Sequence, residues 1–126
     1  MKLNAGIITA KLQETKAFYT RKLGFGITFE SDWFLLLHTP DHAYTISFLQ
    51  PGHPSQQPVF QPDFTGKGIY LTIEVDNVDE MYGQAKAKDI PLAFELRDEP
   101  WGDRHFAVID PNGIGVDIVT YQNPTG

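Results

Sequence analysis

Cysteine is absent from this chain of 126 residues. That removes a disulfide-stapled scaffold, a zinc site built on thiolates and a thiol nucleophile. Basic residues are few: 10 Lys and Arg stand against 16 Asp and Glu, for a formal net charge of −6. Nucleic-acid binding draws much of its affinity from Lys and Arg on phosphates, so this balance argues against it and favours a neutral or cationic partner. Long apolar runs are missing too. The longest, Trp33 to Leu37, falls far short of the roughly 18 residues that mark a membrane span. The N-terminus MKLNAGIITAKLQ has one early lysine and no sustained apolar stretch, so a secretory signal is not expected. These absences fit a cytoplasmic protein that meets neither membrane nor nucleic acid. Also missing are HExxH, GxSxG, a phosphate-binding P-loop and GxGxxG, and with them the commonest local signatures of hydrolases and nucleotide enzymes. What is there is ordinary globular material: 41% hydrophobic and 21% charged residues, enough for a single domain with a real core.

Punctuation divides the chain. Residues 50–68 read QPGHPSQQPVFQPDFTGKG, with Pro51, Pro54, Pro58 and Pro62. Each proline removes a backbone donor and fixes φ, so neither a helix nor a central strand is expected to pass. This is a connector of about 51–67 between a first module of about 1–50 and a second of about 68–122, followed by a short tail, 123–126. A connector of that length is functional, crosses between subunits, or is a solvated linker. Phe60 and Phe64 would give it something to bury.

In the second module Ile69, Leu71, Ile73 and Val75 alternate with Tyr70, Thr72 and Glu74, the period of a strand with one apolar and one mixed face. Asp76-Asn77 then caps a helix, with Glu80 at the capping-box position. Val78, Met81, Tyr82 and Ala85 form its buried stripe, and Pro91 stops it. The first module repeats the plan: a strand at Ala5–Ile8, then a helix from about Leu12 to Lys22 that turns Leu12, Tyr19 and Leu23 inward and ends at Gly24. A shift of 66 residues lays Ile7 on Ile73, Leu12 on Val78, Glu14 on Glu80 and Lys22 on Lys88, as an internal duplication would. Three strand candidates follow each helix: Phe25–Glu30, Trp33–His38 and Ala43–Leu49, then Leu92–Leu96, Arg104–Ile109 and Gly115–Tyr121. The fold class is therefore α+β, strand–helix–three strands twice over. In each mixed four-stranded sheet the apolar face packs on an outer helix and the mixed face lines a concavity.

Four stretches carry a family resemblance. Ala17-Phe18-Tyr19 with Leu23-Gly24-Phe25, then Val75-Asp76-Asn77-Val78-Asp79-Glu80, Trp101-Gly102-Asp103-Arg104 and Asp110-Pro111-Asn112-Gly113 stand in order along the chain. Together they resemble the vicinal oxygen chelate superfamily, which holds glyoxalase I, extradiol dioxygenases and bleomycin resistance proteins. The resemblance implies paired βαβββ modules forming an open cup, usually completed in a homodimer. It does not imply an activity, since the fold hosts metalloenzymes and binding proteins alike. Metal-using members place a ligand on the first and last strand of each module, which falls here on Asn4, Ser47, Tyr70 and Asp117. Only Asp117 is a good donor for a divalent ion, so no metal cofactor is expected.

Groups on the mixed faces are then the candidate lining of the cup: Asn4, Ile8, Ser47, Leu49, Tyr70, Thr72, Glu74, His105 and Asp117. Trp33 and Trp101 are candidate walls, or else core and turn residues. Planar rings stack on such side chains and cations are drawn to their faces, while Glu74 and Asp117 strengthen a cationic preference. His105 is a candidate acid–base group with Asp117 if its face is the cup, and a packed or surface histidine if it is not. His38 and His42 belong to a β-turn, His53 to solvent, and Asp98-Glu99 to a solvent-facing turn. Glu99-Pro100-Trp101-Gly102 with Arg104-His105-Phe106 resembles the bleomycin resistance proteins, which are metal-free binders of a cationic drug. The resemblance thus implies a metal-free small-molecule-binding protein that sequesters a planar or cationic compound. A glyoxalase-like lyase or isomerase, metal-dependent or using His105 and Asp117, is the alternative.

Overall fold

The alternation of residues 69–75 becomes a strand because only one of its faces has a partner. The computed structural model describes residues 1–122; the tail expected at 123–126 lies outside the described residues. In the second module β5 (Tyr70–Glu74) runs parallel to β8 (Gly115–Tyr121), and β7 (Asp103–Ile109) and β6 (Leu92–Asp98) follow antiparallel, giving the order β5-β8-β7-β6. Helix α2 (Val78–Ala87) covers one face of this sheet. Phe106, Val108, Val116 and Ile118 are buried there with Val78 and Ala85, and the Phe106 ring meets Tyr82 of α2 edge-on at 5.2 Å. Tyr70, Thr72 and Glu74 point the other way and are exposed.

Asn77 caps α2 as expected, its side chain accepting from the Glu80 N–H at 3.2 Å. A second device ties the helix start to the sheet. The Thr120 hydroxyl accepts from the Val78 N–H at 3.0 Å and donates to the Val75 carbonyl at 2.7 Å. Thr120→Val keeps the shape and deletes both bonds, leaving a partly buried N–H unpaired. It should cost about 1–3 kcal/mol, read as a lower midpoint in urea with an unchanged slope; an unchanged midpoint would remove Thr120 from the cap. The helix ends before Pro91. Asp89 takes a left-handed φ of 53°, with Asp89 N–H on Lys86 O and Ile90 N–H on Ala85 O, the bond pair of a Schellman ending.

The first module repeats the topology with order β1-β4-β3-β2, built from β1 (Ala5–Ile8), β2 (Gly26–Glu30), β3 (Phe34–His38) and β4 (Thr45–Leu49). Its helix α1 (Leu12–Ala17) begins 66 residues before α2 (78 − 12), matching the shift read from the sequence. The expected α-helix to Lys22 is corrected: the turns widen into a π-helix over Phe18–Lys22. There the Thr20 hydroxyl donates to the Lys16 carbonyl at 2.7 Å, a side-chain bond that competes with the helix ladder. The wider turn carries consecutive residues Phe18 and Tyr19 inward, and Tyr19 is fully buried against Phe18, Phe25 and Phe48.

Chain contacts divide the molecule into two units, Met1–Thr65 and one beginning at Gly66. The proline-rich segment belongs to the first, where Phe64 N–H reaches the Ile8 carbonyl on the outer edge of β1 at 2.9 Å. It contains one short 3-10 turn, Pro58–Phe60, and Phe60 remains half-exposed at 51% rather than burying its ring. Among the described residues no helix is long and apolar enough to cross a membrane.

Candidate functional site

On the helix-free face of the second sheet, strand alternation sets Asp103, His105 and Ala107 of β7 beside Asp117, Val119 and Tyr121 of β8, and these beside Tyr70, Thr72 and Glu74 of β5. His105 therefore lies on the face expected to bind. It is buried, and both ring nitrogens are taken: Nδ1 lies 2.8 Å from Asp117 Oδ1 and Nε2 lies 3.0 Å from Glu99 Oε2. Two carboxylate acceptors call for two donors, which describes an imidazolium. Burial alone would lower the His105 pKa, but the bonds to Glu99 and Asp117, with the nearby charges of Asp117 and Asp103, outweigh it and raise it. Phe94 of β6 closes over the ring edge-on at 4.9 Å.

Glu99 corrects an expectation. The turn at Asp98-Glu99 is not simply solvent-facing: Asp98 ends β6 and binds Arg104 at 3.0 Å, and the Glu99 side chain is 12% exposed, bonded to His105 and Arg97. Its pKa is lowered, first by the His105 hydrogen bond, against desolvation, with Arg97 adding to the effect. Two irregularities in the β6–β7 ladder shift the register, so β6 runs past the expected Leu96 to Asp98 and brings Glu99 onto the site.

Tyr121 was not singled out in the sequence, and Asp103 stood out only as part of the Trp101-Gly102-Asp103-Arg104 stretch. Burial first, then the charges of Asp103, Glu74 and Asp117, raise the pKa of the Tyr121 phenol, so it stays neutral beside three carboxylates. The face thus gathers Glu74, Asp103 and Asp117 around Tyr121 and Tyr70. Its one buried cation, His105, is already balanced, and Arg97 at its edge is held by Glu99. That stretch gave Asp103 no site role, and the Tyr121 phenol gave no signal at all.

Of the other expected site residues, Tyr70 borders this cluster, Trp101 lies in the β6–β7 turn, and Asn4, Ser47 and Trp33 belong to the first unit. Tyr70 is 73% exposed at the start of β5, and Trp101 is 62% exposed in the β6–β7 turn. In the first unit, Asn4 Nδ2 donates to Ser47 Oγ at 3.0 Å and Asn4 Oδ1 accepts from Thr45 Oγ1 at 2.8 Å. The two side chains meet as the family pattern implies, but the amide is spent on its neighbours. Trp33 lies in the bend before β3, and there His53 is corrected from a solvated residue to one stacked on the indole, centroids 4.0 Å apart. His38 and His42 do flank the β3–β4 turn, with rings stacked at 3.7 Å.

The family's metal positions fit an ion poorly in chemistry. Asn4 and Ser47 are bonded to one another, and register sets Thr72, not Tyr70, opposite Asp117. Among the described residues, Asp103, His105 and Asp117 place potential ligand atoms within 4.8 Å of one another. Two of these residues are already joined, and His105 offers no nitrogen free of a carboxylate.

Two mixed four-stranded sheets of identical strand–helix–three-strand topology define the class. The chain belongs to the Glyoxalase/Bleomycin resistance protein/Dioxygenase superfamily, whose model matches residues 3–118. None of the curated proteins matches it in sequence. Solved structures similar to it include a bleomycin resistance determinant encoded on the transposon Tn5, 23% identical with TM-score 0.70, covering 98% of each chain. An antibiotic-binding protein from a Streptomyces species is 16% identical with TM-score 0.75, covering 97% of this chain and 96% of that one. Lactoylglutathione lyase from Agrobacterium tumefaciens is 18% identical with TM-score 0.77, covering 95% and 92%. Likeness at these identities shows the fold.

Proposed function

We propose that this protein binds and sequesters a planar, cationic small molecule without a metal, acting as a cytoplasmic homodimer. One observation carries the reading: the helix-free face of the second sheet concentrates Glu74, Asp103 and Asp117 around two tyrosines, while its buried cation is already neutralised by Glu99 and Asp117. Carboxylates beside aromatic rings in a partly desolvated site attract organic cations. Relatives named for antibiotic binding and bleomycin resistance support a binding role. Sequestration requires no catalytic group. A general base at His105 would need a free nitrogen, and both are bonded.

The lyase or isomerase reading is favoured by one observation, the grouping of Asp103, His105 and Asp117. Elemental analysis separates the metal-free reading from the metal-dependent form of this alternative. The purified protein should hold less than about 0.2 equivalents of any transition metal, given the ligand preferences of such ions; stoichiometric metal would overturn the metal-free reading. Ethidium, a planar aromatic cation, is a suitable probe. It should quench tryptophan fluorescence and, at about 100 times its Kd, stabilise the fold by about 2.7 kcal/mol. Asp103→Asn with Asp117→Asn should weaken it at least about tenfold, or about 1.4 kcal/mol. Equal affinity for the double variant, or no binding to the parent protein, defeats the proposal.

A further inference from the structure

The turn between β3 and β4 brings two histidines face to face. The Thr39 carbonyl accepts from the His42 backbone N–H at 2.9 Å and from His38 Nδ1–H at 2.8 Å, so one oxygen ties both residues down. A carbonyl has no proton to give, so the neutral His38 ring carries its proton on Nδ1 and its lone pair on Nε2. A backbone carbonyl on the second nitrogen is how metal-ligating histidines are commonly held. The Asp41 carboxylate pins the rest of the turn, accepting from the Ala43 N–H at 3.0 Å and from the Thr39 hydroxyl.

The room around His38 is left by a missing side chain. Gly26 faces it across the β2–β3 ladder, and a Cβ there would lie 2.3 Å from both Cε1 and Nε2 of the ring. Any other residue at 26 would cover or displace that nitrogen. His42 takes a left-handed φ of 61°, a conformation that strains a residue with a Cβ and that glycine adopts freely. Its exposed ring stacks on His38, centroids 3.7 Å apart and planes 21° apart. Among the described residues, no other group bonds to His38 Nε2 or to either ring nitrogen of His42.

We infer that His38 Nε2 and the His42 imidazole form a binding site for a divalent transition-metal ion, zinc or copper, at the β3–β4 turn. Two imidazoles on one such ion hold their nitrogens about 3 Å apart, given metal–nitrogen bonds of about 2.0–2.1 Å, and the stacked rings already stand near that separation. Only His42 has to move. Its exposed ring turns out of the stack until its lone pair converges with that of His38, which Thr39 keeps in place. Imidazole donors select zinc, copper or nickel over magnesium, and copper over zinc. Asp41 adds negative charge beside His42, its carboxyl held below the usual range by the Thr39 hydroxyl first and the Ala43 N–H second. Two side chains completed by water release their ion on washing, so the low metal content expected of the purified protein stands. The turn belongs to the first unit, and the site does not depend on the cation-binding face of the second.

Chelator-washed protein titrated with zinc chloride, followed by calorimetry and by the imidazole signals in proton–nitrogen NMR spectra, tests the site. The chain has four histidines, and single substitutions identify the signal of each. Zinc should shift His38 and His42 and leave His53 and His105 in place. His38→Gln and His42→Gln should each bind zinc at least about tenfold more weakly, since losing even an indirect support of a ligand costs about that much. His42→Gly removes the ligand and relieves the left-handed backbone, so it should melt no lower than the parent and still lose the same affinity. Copper(II) should bind more tightly than zinc, and magnesium should not bind at this turn. Zinc affinity unchanged in His38→Gln and His42→Gly, or no zinc binding to the parent, overturns the site and leaves the ethidium test untouched. Zinc that shifts His105 in place of His38 and His42 also overturns it, and favours the metal-dependent alternative for the face of the second sheet.

Discussion

Phe106→Ala should lower the melting temperature by about 10–20 °C. Phe106 is fully buried on the helix side of β7, opposite Ile118 on β8 and edge-on to Tyr82 of α2. Removing a buried phenylalanine costs about 3–5 kcal/mol, because the lost burial is compounded by a cavity the neighbours fill only in part. For a domain of this length each kcal/mol moves the melting point by roughly 3–5 °C. The flanking residues give little room for collapse: Val108, Val116 and Ile118 are themselves fully buried β-branched side chains with restricted rotamers. Circular dichroism melts would measure the effect. A fall of less than about 4 °C, under the cost expected for a large core side chain, would mean that α2 does not rest on this ring.

The melting temperature of the wild-type protein should also fall by several degrees between about pH 6 and about pH 9, and that of His105→Gln should not follow it. His105 has a raised pKa in the folded state despite its burial, because Glu99 and Asp117 bond its two nitrogens. A raised folded value stabilises the protein fully below the unfolded histidine value of about 6.5, and that contribution is lost as pH rises through the folded value. Glu99 works in the opposite sense. Its lowered pKa, caused first by the His105 bond, gives a contribution present above the unfolded value of about 4.3 and lost as pH falls through the folded value. The pair is therefore at its best between the two. The two proteins differ only at this position, so the difference between the two melting curves isolates His105. Parallel curves across this window would show that the ring is not held as a cation.

The periodicities and punctuation of the sequence were enough for the repeat. Leu12 and Val78, 66 residues apart, each open a helix, because the apolar stripes that must be buried are written locally in the side-chain order. Asn77 and Gly24 marked helix ends for the same reason: a cap and a left-handed residue are local chemistry, and both act where expected. Boundaries were less legible. The π-helical turn at Phe18–Lys22 depends on which rings Tyr19 meets from Phe25 and Phe48, and no spacing rule reports that.

The site divides along the same line. His105 and Asp117 could be chosen from residue type and strand alternation, and their faces follow from a period of two. Their hydrogen bond required the β7–β8 register, which pairs Ala107 with Asp117 and leaves His105 on the diagonal. Glu99 arrived through ladder irregularities in β6, and Tyr121 through the antiparallel pairing of β7 with β8, which sets it opposite Asp103. His53 reached Trp33 across 20 positions (53 − 33), a contact made by the path of a loop that carries no periodicity. The sequence by itself determined the elements, their order, the duplication and the family, since each is encoded by neighbours in the chain. Tertiary structure decided which charges meet and which ring covers another, because those are distances between residues remote in sequence, set by register, bulges and loop closure.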